Sequence, residues 1–240
     1  MRTRDSRCCF SLALIATMLA GAAARAVAQG DSARTERAVP AALADAGEHA
    51  ENLYDAAGAN AWRTAGRRLK ALEADVARLH AEADSAPAGE TDRLQREVAA
   101  LESAVARRQR RATMAEANQA TLIAANMTAP YAPRVPVEVT RLDFYGRQLE
   151  IWAETGAAAR LDSATRGVRH EWDAVHPAVS ARGPAVARKF DALVTRLERA
   201  GSPAEYRRLA QLELAQVDDL ERVFEANAPR TPPGSRWPPR

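Results

Sequence analysis

The chain has 240 residues, with 34 Lys and Arg against 31 Asp and Glu. All of that basic excess lies at the start: residues 1–28 hold four Arg and one Asp, and the remainder has 30 residues of each sign, so charge gives no reason to expect nucleic acid. The only cysteines, Cys8 and Cys9, fall in the same opening segment, which excludes disulfides, thiolate metal sites and cysteine nucleophiles from the rest.

Residues 1–28 are predicted to be a signal peptide. Arg2, Arg4 and Arg7 precede an apolar stretch from Cys8 to about Ala24, and two small-x-small sites follow, Ala24-Arg25-Ala26 and Ala26-Val27-Ala28. The apolar run is at the short edge of what spans a bilayer, so no membrane span is expected after cleavage. The protein is therefore expected to be exported, periplasmic or secreted.

Beyond the leader the chain is rich in Ala, Leu, Arg and Glu, which lose little side-chain freedom in a helix. Apolar residues recur at steps of three and four. Trp62, Ala65, Leu69, Leu72, Val76 and Leu79 form one such seam; Leu94, Val98, Leu101 and Val105 another. Leu142, Tyr145, Leu149 and Trp152 form a third, and Val186, Phe190, Val194 and Leu197 a fourth. This is the pattern of amphipathic helices packed on other helices, with no alternation that would make a sheet.

In chain order, the spacing predicts a helix over 37–57, a break at Gly58 and Asn60, and a helix over 61–84. Ser85 to Gly89 ends it, and one long helix is predicted over 91–127. Pro130, Pro133 and Pro136 mark a linker over 128–136, because the ring and its effect on the preceding residue exclude helix. A helix to about Thr155, a break at Gly156, a helix to about Val179 and a break at Gly183-Pro184 follow. The next helix stops near Gly201. Ser202-Pro203-Ala204-Glu205 then reads as a capping box with Pro at the first helical position, opening a last helix to about Ala226. Residues 227–240, with five Pro and three Arg, are predicted to be a disordered tail.

The linker divides the body into two similar helical halves, 37–127 and 137–226. At an offset of 96 residues Leu53 falls on Leu149, Leu72 on Val168, Val76 on Trp172, Leu94 on Phe190 and Leu101 on Leu197. His80 falls on His176, whereas Gly58 and Gly156 are two residues out of step. The expected fold is all-α: an antiparallel helical bundle of two similar halves, or two small bundles in tandem, with internal duplication as a candidate origin.

Candidate site chemistry is sparse. His170, Asp173 and His176 are spaced i, i+3, i+6, an arc of about 120° that could hold a divalent metal. The buried face set by Leu161, Ala164, Val168, Trp172, Val175 and Val179 leaves His170 about 160° and Asp173 about 140° from its centre, facing water. His80 and His176 coincide under the offset and flank their seams; facing each other, they could share a metal or haem iron. The competing account of all these residues is a solvated helix flank, as for His49. Past Val105, the regular seam meets Arg108, Ala112, Ala115, Gln119 and Asn126, a polar stripe that could line a ligand cavity; the simpler account is a shift of register to Met114, Ala117, Thr121 and Ala124. Arg107, Arg108, Arg110 and Arg111 read as a solvated basic face, and Trp62, Trp152 and Trp172 as core.

No phosphate-binding glycine loop, nucleophile elbow or paired-carboxylate signature is present, so nothing motivates an enzyme. The first functional expectation is a non-catalytic interaction or scaffold protein that binds another protein through helix faces. The second is a metal- or haem-binding bundle using His80, His176, His170 and Asp173.

Overall fold

A computed structural model of the chain describes residues 38–82 and 88–226. The predicted signal peptide at 1–28 and tail at 227–240 lie outside them. Among the described residues there are eight α-helices and no strand: α1 Ala41–Gly58, α2 Trp62–Ala81, α3 Ala88–Ala106, α4 Arg110–Thr128, α5 Val137–Ala153, α6 Ala158–Arg182, α7 Pro184–Glu198 and α8 Pro203–Ala226.

The breaks have local causes. Pro40 and Pro136 stand immediately before α1 and α5 with extended ψ, and Pro184 and Pro203 open α7 and α8 where a missing N–H is not needed. At α8 the Ser202 hydroxyl accepts from the Glu205 N–H at 3.3 Å. The Glu205 carboxylate reaches back to accept from the Gly201 N–H at 3.2 Å. The linker contains a single 3-10 turn, Ala129–Tyr131, closed by Ala132 at φ +48°.

The predicted long helix over 91–127 is two helices. Arg107, Arg108 and Gln109 form the turn between α3 and α4, and Arg108 takes φ +50°. The two helices fold back on each other. This turn explains the register problem: Met114, Ala117, Thr121 and Ala124 are buried because α4 is a new helix with its own inward face. The basic cluster at the turn is exposed at Arg107, Arg108 and Arg111.

Each half is a closed ring of four helices. In the first, α1 packs on α2 and α4, and α3 completes the ring between α2 and α4; in the second, α5 packs on α6 and α8, and α7 lies between α6 and α8. Each ring has its own core. Leu43, Leu53, Leu72, Leu101 and Ile123 are fully buried in the first. Leu142, Leu149, Val168, Trp172 and Phe190 fill the second. Full burial of each such side chain contributes about 1.5–3 kcal/mol. The Trp172 indole N–H, beside this core, donates to Asp191 at 2.9 Å, which satisfies the one polar atom of that ring.

The halves meet where α4 packs on α5. Helix α5 is buried on several sides, at Val139, Leu142, Phe144, Leu149 and Ile151, because it touches α4, α6 and α8. Its Ile151 enters the first core, and its Trp152 packs against both.

The recurrence at 96 residues extends to the backbone. α1 and α5 start at 41 and 137, α2 and α6 at 62 and 158, α3 and α7 at 88 and 184. The residue in the left-handed region after the first helix is Asn60 in one half, at φ +55°, and Gly156 in the other, at φ +63°. The equivalent of Gly156 is thus Asn60, not Gly58, and the two-residue mismatch disappears. The correspondence weakens at α4 and α8, whose starts, 110 and 203, are out of step.

Candidate ligand cleft between the halves

The histidines singled out by the sequence are not assembled. His80 is exposed in a shallow groove between α2 and α3, beside Glu73 and Glu102. His176 is half-buried edge-on against Trp172, with ring centroids 5.0 Å apart, and its Nε2 lies 3.2 Å from the Ser180 hydroxyl. α2 packs on α1 and α3, α6 on α5, α7 and α8, so the fold does not bring His80 to His176. His170 and Asp173 are exposed, as their angles required, and Asp173 is held by Arg169 at 3.2 Å. Among the described residues no group of three or more His, Cys, Asp or Glu is placed to hold a metal ion. Of the arc, His170 and Asp173 face solvent, and Asp173 and His176 have other partners, Arg169 for the first and Ser180 and Asp191 for the second.

His49 was misread as a plain flank. Its Nδ1 lies 2.6 Å from Oδ2 of Asp75, which is 2% exposed, and Arg78 bonds both Asp75 and Asp45. This network ties α1 to α2 and explains how a carboxylate is buried there: its oxygens are taken.

A candidate ligand cleft of about 500 Å3 lies over the α4–α5 seam, flanked by α3 and α6. Small residues, Ala115 and Ala164, leave the space; Tyr145 and Trp152 give it aromatic surface. A β-carbon on Gly167 of α6 would stand 2.2 Å from the Tyr145 ring, so this glycine lets the ring lie close across α6. The Trp152 indole N–H donates to Gln148 at 2.5 Å, and the Arg160 guanidinium sits 5.2 Å from the Trp152 ring centroid. Trp152, expected to be core, is therefore only part core: it packs on both cores and also lines the cleft.

On the α3–α4 wall, Glu97 and Glu116 line the same side of the cleft. Burial first, then the neighbouring Glu116, pushes the Glu97 carboxyl up to about 7, against the pull of Arg93 and Arg96. A second hollow of about 590 Å3, beside Arg110, Arg111 and Ala112, shares Ala115 and Trp152 with the cleft. The polar stripe read from the sequence is here: Ala112, Ala115 and Gln119 do line cavities, on the outer side of the helix whose inner side carries Met114 and Ala117. Glu97, Tyr145 and Arg160 carried no signal of their own; they belong to three helices whose approach only the packing shows.

A second polar cluster lies where α1, α5 and α8 converge. Glu213 is fully buried with neither carboxyl oxygen hydrogen-bonded, against the bare backbone of Gly146. Asp143 and Arg147 of α5 form an ion pair at 3.0 Å, and the Arg147 guanidinium lies 5.0 Å from the Tyr54 ring centroid. Burial raises the carboxyl pKa of Glu213 far above its ordinary value, raises those of Asp143 and Glu221, and pushes Glu51 up to about 7; the charge of Arg147 opposes it in each.

No protein-family model matches the chain, and no curated protein and no solved structure matches it.

Proposed function

We propose that this chain is an exported, non-catalytic binding protein that holds a small organic ligand in the cleft between its two helical halves. The carrying observation is the cleft itself: about 500 Å3 of space where the Tyr145 and Trp152 rings lie among charged and polar side chains, Arg93, Glu97, Glu116 and Arg160 included, within the range of roughly 300–1,000 Å3 usual for small-molecule sites. Export rests on the leader read at 1–28. The scaffold reading has less support, since the seam residues Leu72, Leu101, Leu149 and Leu197 are spent on the two cores. The 96-residue recurrence supports descent of both halves from one four-helix unit, with the cleft arising at their junction.

The test is thermal unfolding of the chain with and without a small-molecule extract of the source cells, beside an Ala115→Trp variant that fills the cleft. The expected result is a higher Tm for the wild type in extract and none for the variant, which remains helical by circular dichroism. Equal shifts in both proteins, or no shift in either, would overturn the reading.

A further inference from the structure

Resting on that reading, we propose that the ligand is a small zwitterion with an aromatic body, a free aromatic amino acid or a dipeptide, its ammonium group on Glu97 and Glu116 and its carboxylate on Arg160. The two charged groups of such a molecule are opposite in sign to the acidic and basic residues that line the cleft.

Glu97 on α3 and Glu116 on α4 bring two carboxyls to the cleft wall contributed by the first half. Burial, then the neighbouring Glu116, raises the Glu97 carboxyl, so it holds a proton more tightly than a free carboxyl does. An ammonium group, with three donors and a full positive charge, is a better partner for both oxygen sets than that proton. Arg93 and Arg96, the cations nearest Glu97, lie along its own helix. The incoming ammonium takes the place of the proton, which leaves to solvent.

Arg160 lies on α6, on the side contributed by the second half. Its guanidinium rests on Trp152 and has no carboxylate partner among the described residues, so its N–H fork is open to a ligand carboxylate. Trp152 and Tyr145 supply ring faces in the same space, and Trp152 has already given its N–H to Gln148. A plain acid would leave the Glu97–Glu116 pair unused, and a plain amine would leave Arg160 unused. Only a molecule with both groups and an apolar body engages every wall.

The experiment is calorimetric titration of the purified chain with L-phenylalanine and L-phenylalanyl-L-phenylalanine, beside two truncated probes. These are 3-phenylpropionate, which lacks the ammonium, and phenethylamine, which lacks the carboxylate. The zwitterions are expected to bind at least about tenfold more tightly than either probe, about one 1.4 kcal/mol step. Binding should release protons, seen as a dependence on buffer ionisation heat, and strengthen from pH 6 to pH 8. Glu97→Gln, or Glu116→Gln should the first fail to fold, should weaken the zwitterion about tenfold, abolish its pH dependence and leave 3-phenylpropionate unchanged. Arg160→Gln should weaken the zwitterion and spare phenethylamine. A truncated probe that matches the zwitterion, or a Glu97→Gln variant that loses 3-phenylpropionate too, overturns the assignment. Should extract stabilise the wild type but not Ala115→Trp while no zwitterion binds, the ligand class falls and the cleft stands; with no extract effect and no binding, both fall.

Discussion

The Tyr54 hydroxyl donates to Oε2 of Glu150 at 2.6 Å, and the two residues are 96 apart, at corresponding positions on α1 and α5. The bond therefore joins the two halves through equivalent sites. Burial, then the Glu150 carboxylate, raises the phenol pKa above its ordinary value, so the donor keeps its proton through the alkaline range. Tyr54→Phe keeps the ring beneath Arg147 and removes only the donor. It is expected to cost about 1–2 kcal/mol, because a carboxylate in a half-buried site loses a charge-assisted bond. Urea unfolding measures this; an unchanged midpoint would show that the bond does not hold the halves.

Gly146 and Glu213 form a matched pair. A β-carbon on Gly146 would stand 1.8 Å from Oε2 of Glu213 and 2.9 Å from Cδ2 of Leu214. In the first half the position equivalent to Gly146, 96 residues earlier on α1, is Ala50, fully buried. Gly146→Ala alone is expected to destabilise by about 1–3 kcal/mol through overpacking. Combined with Glu213→Ala, which removes the carboxyl that the new β-carbon would meet, the double variant should be more stable than Gly146→Ala alone, with a coupling of at least about 1 kcal/mol. Additive losses in the four-member cycle would refute the pairing.

Stability should fall as pH rises. The carboxyls of Glu51, Asp143, Glu213 and Glu221 are raised in the folded protein, so the folded state binds more protons than the unfolded one. Their contribution is complete below the ordinary carboxyl range and is lost through the raised values, about 7 for Glu51 and beyond for Glu213. The groups facing one another are Glu51 and Asp55 on α1, Asp143 and Arg147 on α5, and Asp218 and Glu221 on α8 beside Glu213, with Glu225 next to Glu221. One arginine serves all these acids. Tm should therefore drop from pH 5 to pH 9, and Glu213→Gln, which cannot ionise, should match the wild type at pH 5 and exceed it at pH 9. A wild-type Tm that climbs over this range would contradict the arrangement.

What the sequence made legible follows the strength of its local signals. Pro184 and the Ser202-Pro203-Glu205 box placed two helix starts because ring geometry and capping act within one turn. The seams of Leu72 and Phe190 placed the buried faces because helical period is a property of one segment. The cleft is a property of four segments at once: Ala115 and Gln119 hinted at it through their misfit with the Val105 seam, but nothing in the chain tells that Arg160 faces Glu97's half. The histidines show the same limit. Their spacing defines an arc on one helix, but nothing in it tells that His176 lies 3.5 Å from Asp191 of α7 or that α2, with His80, does not pack on α6.

The turn at Arg108 was invisible because it contains neither Gly nor Pro, and it allows the sharpest test of the fold. Arg108 holds φ +50°, a region that disfavours residues with a β-carbon, so Arg108→Gly should stabilise the protein by about 0.5–1 kcal/mol. Were 91–127 one continuous helix, the same change would put glycine in a helix interior and destabilise it by about 1 kcal/mol. The sign of the change in chemical denaturation therefore separates a hairpin from a single helix. Gly156→Ala is the internal control: at φ +63°, with its new β-carbon 3.3 Å from Pro203, it should destabilise by about 1 kcal/mol or more. Opposite signs at the two positions are the expected result, and a loss at both would return α3 and α4 to one helix.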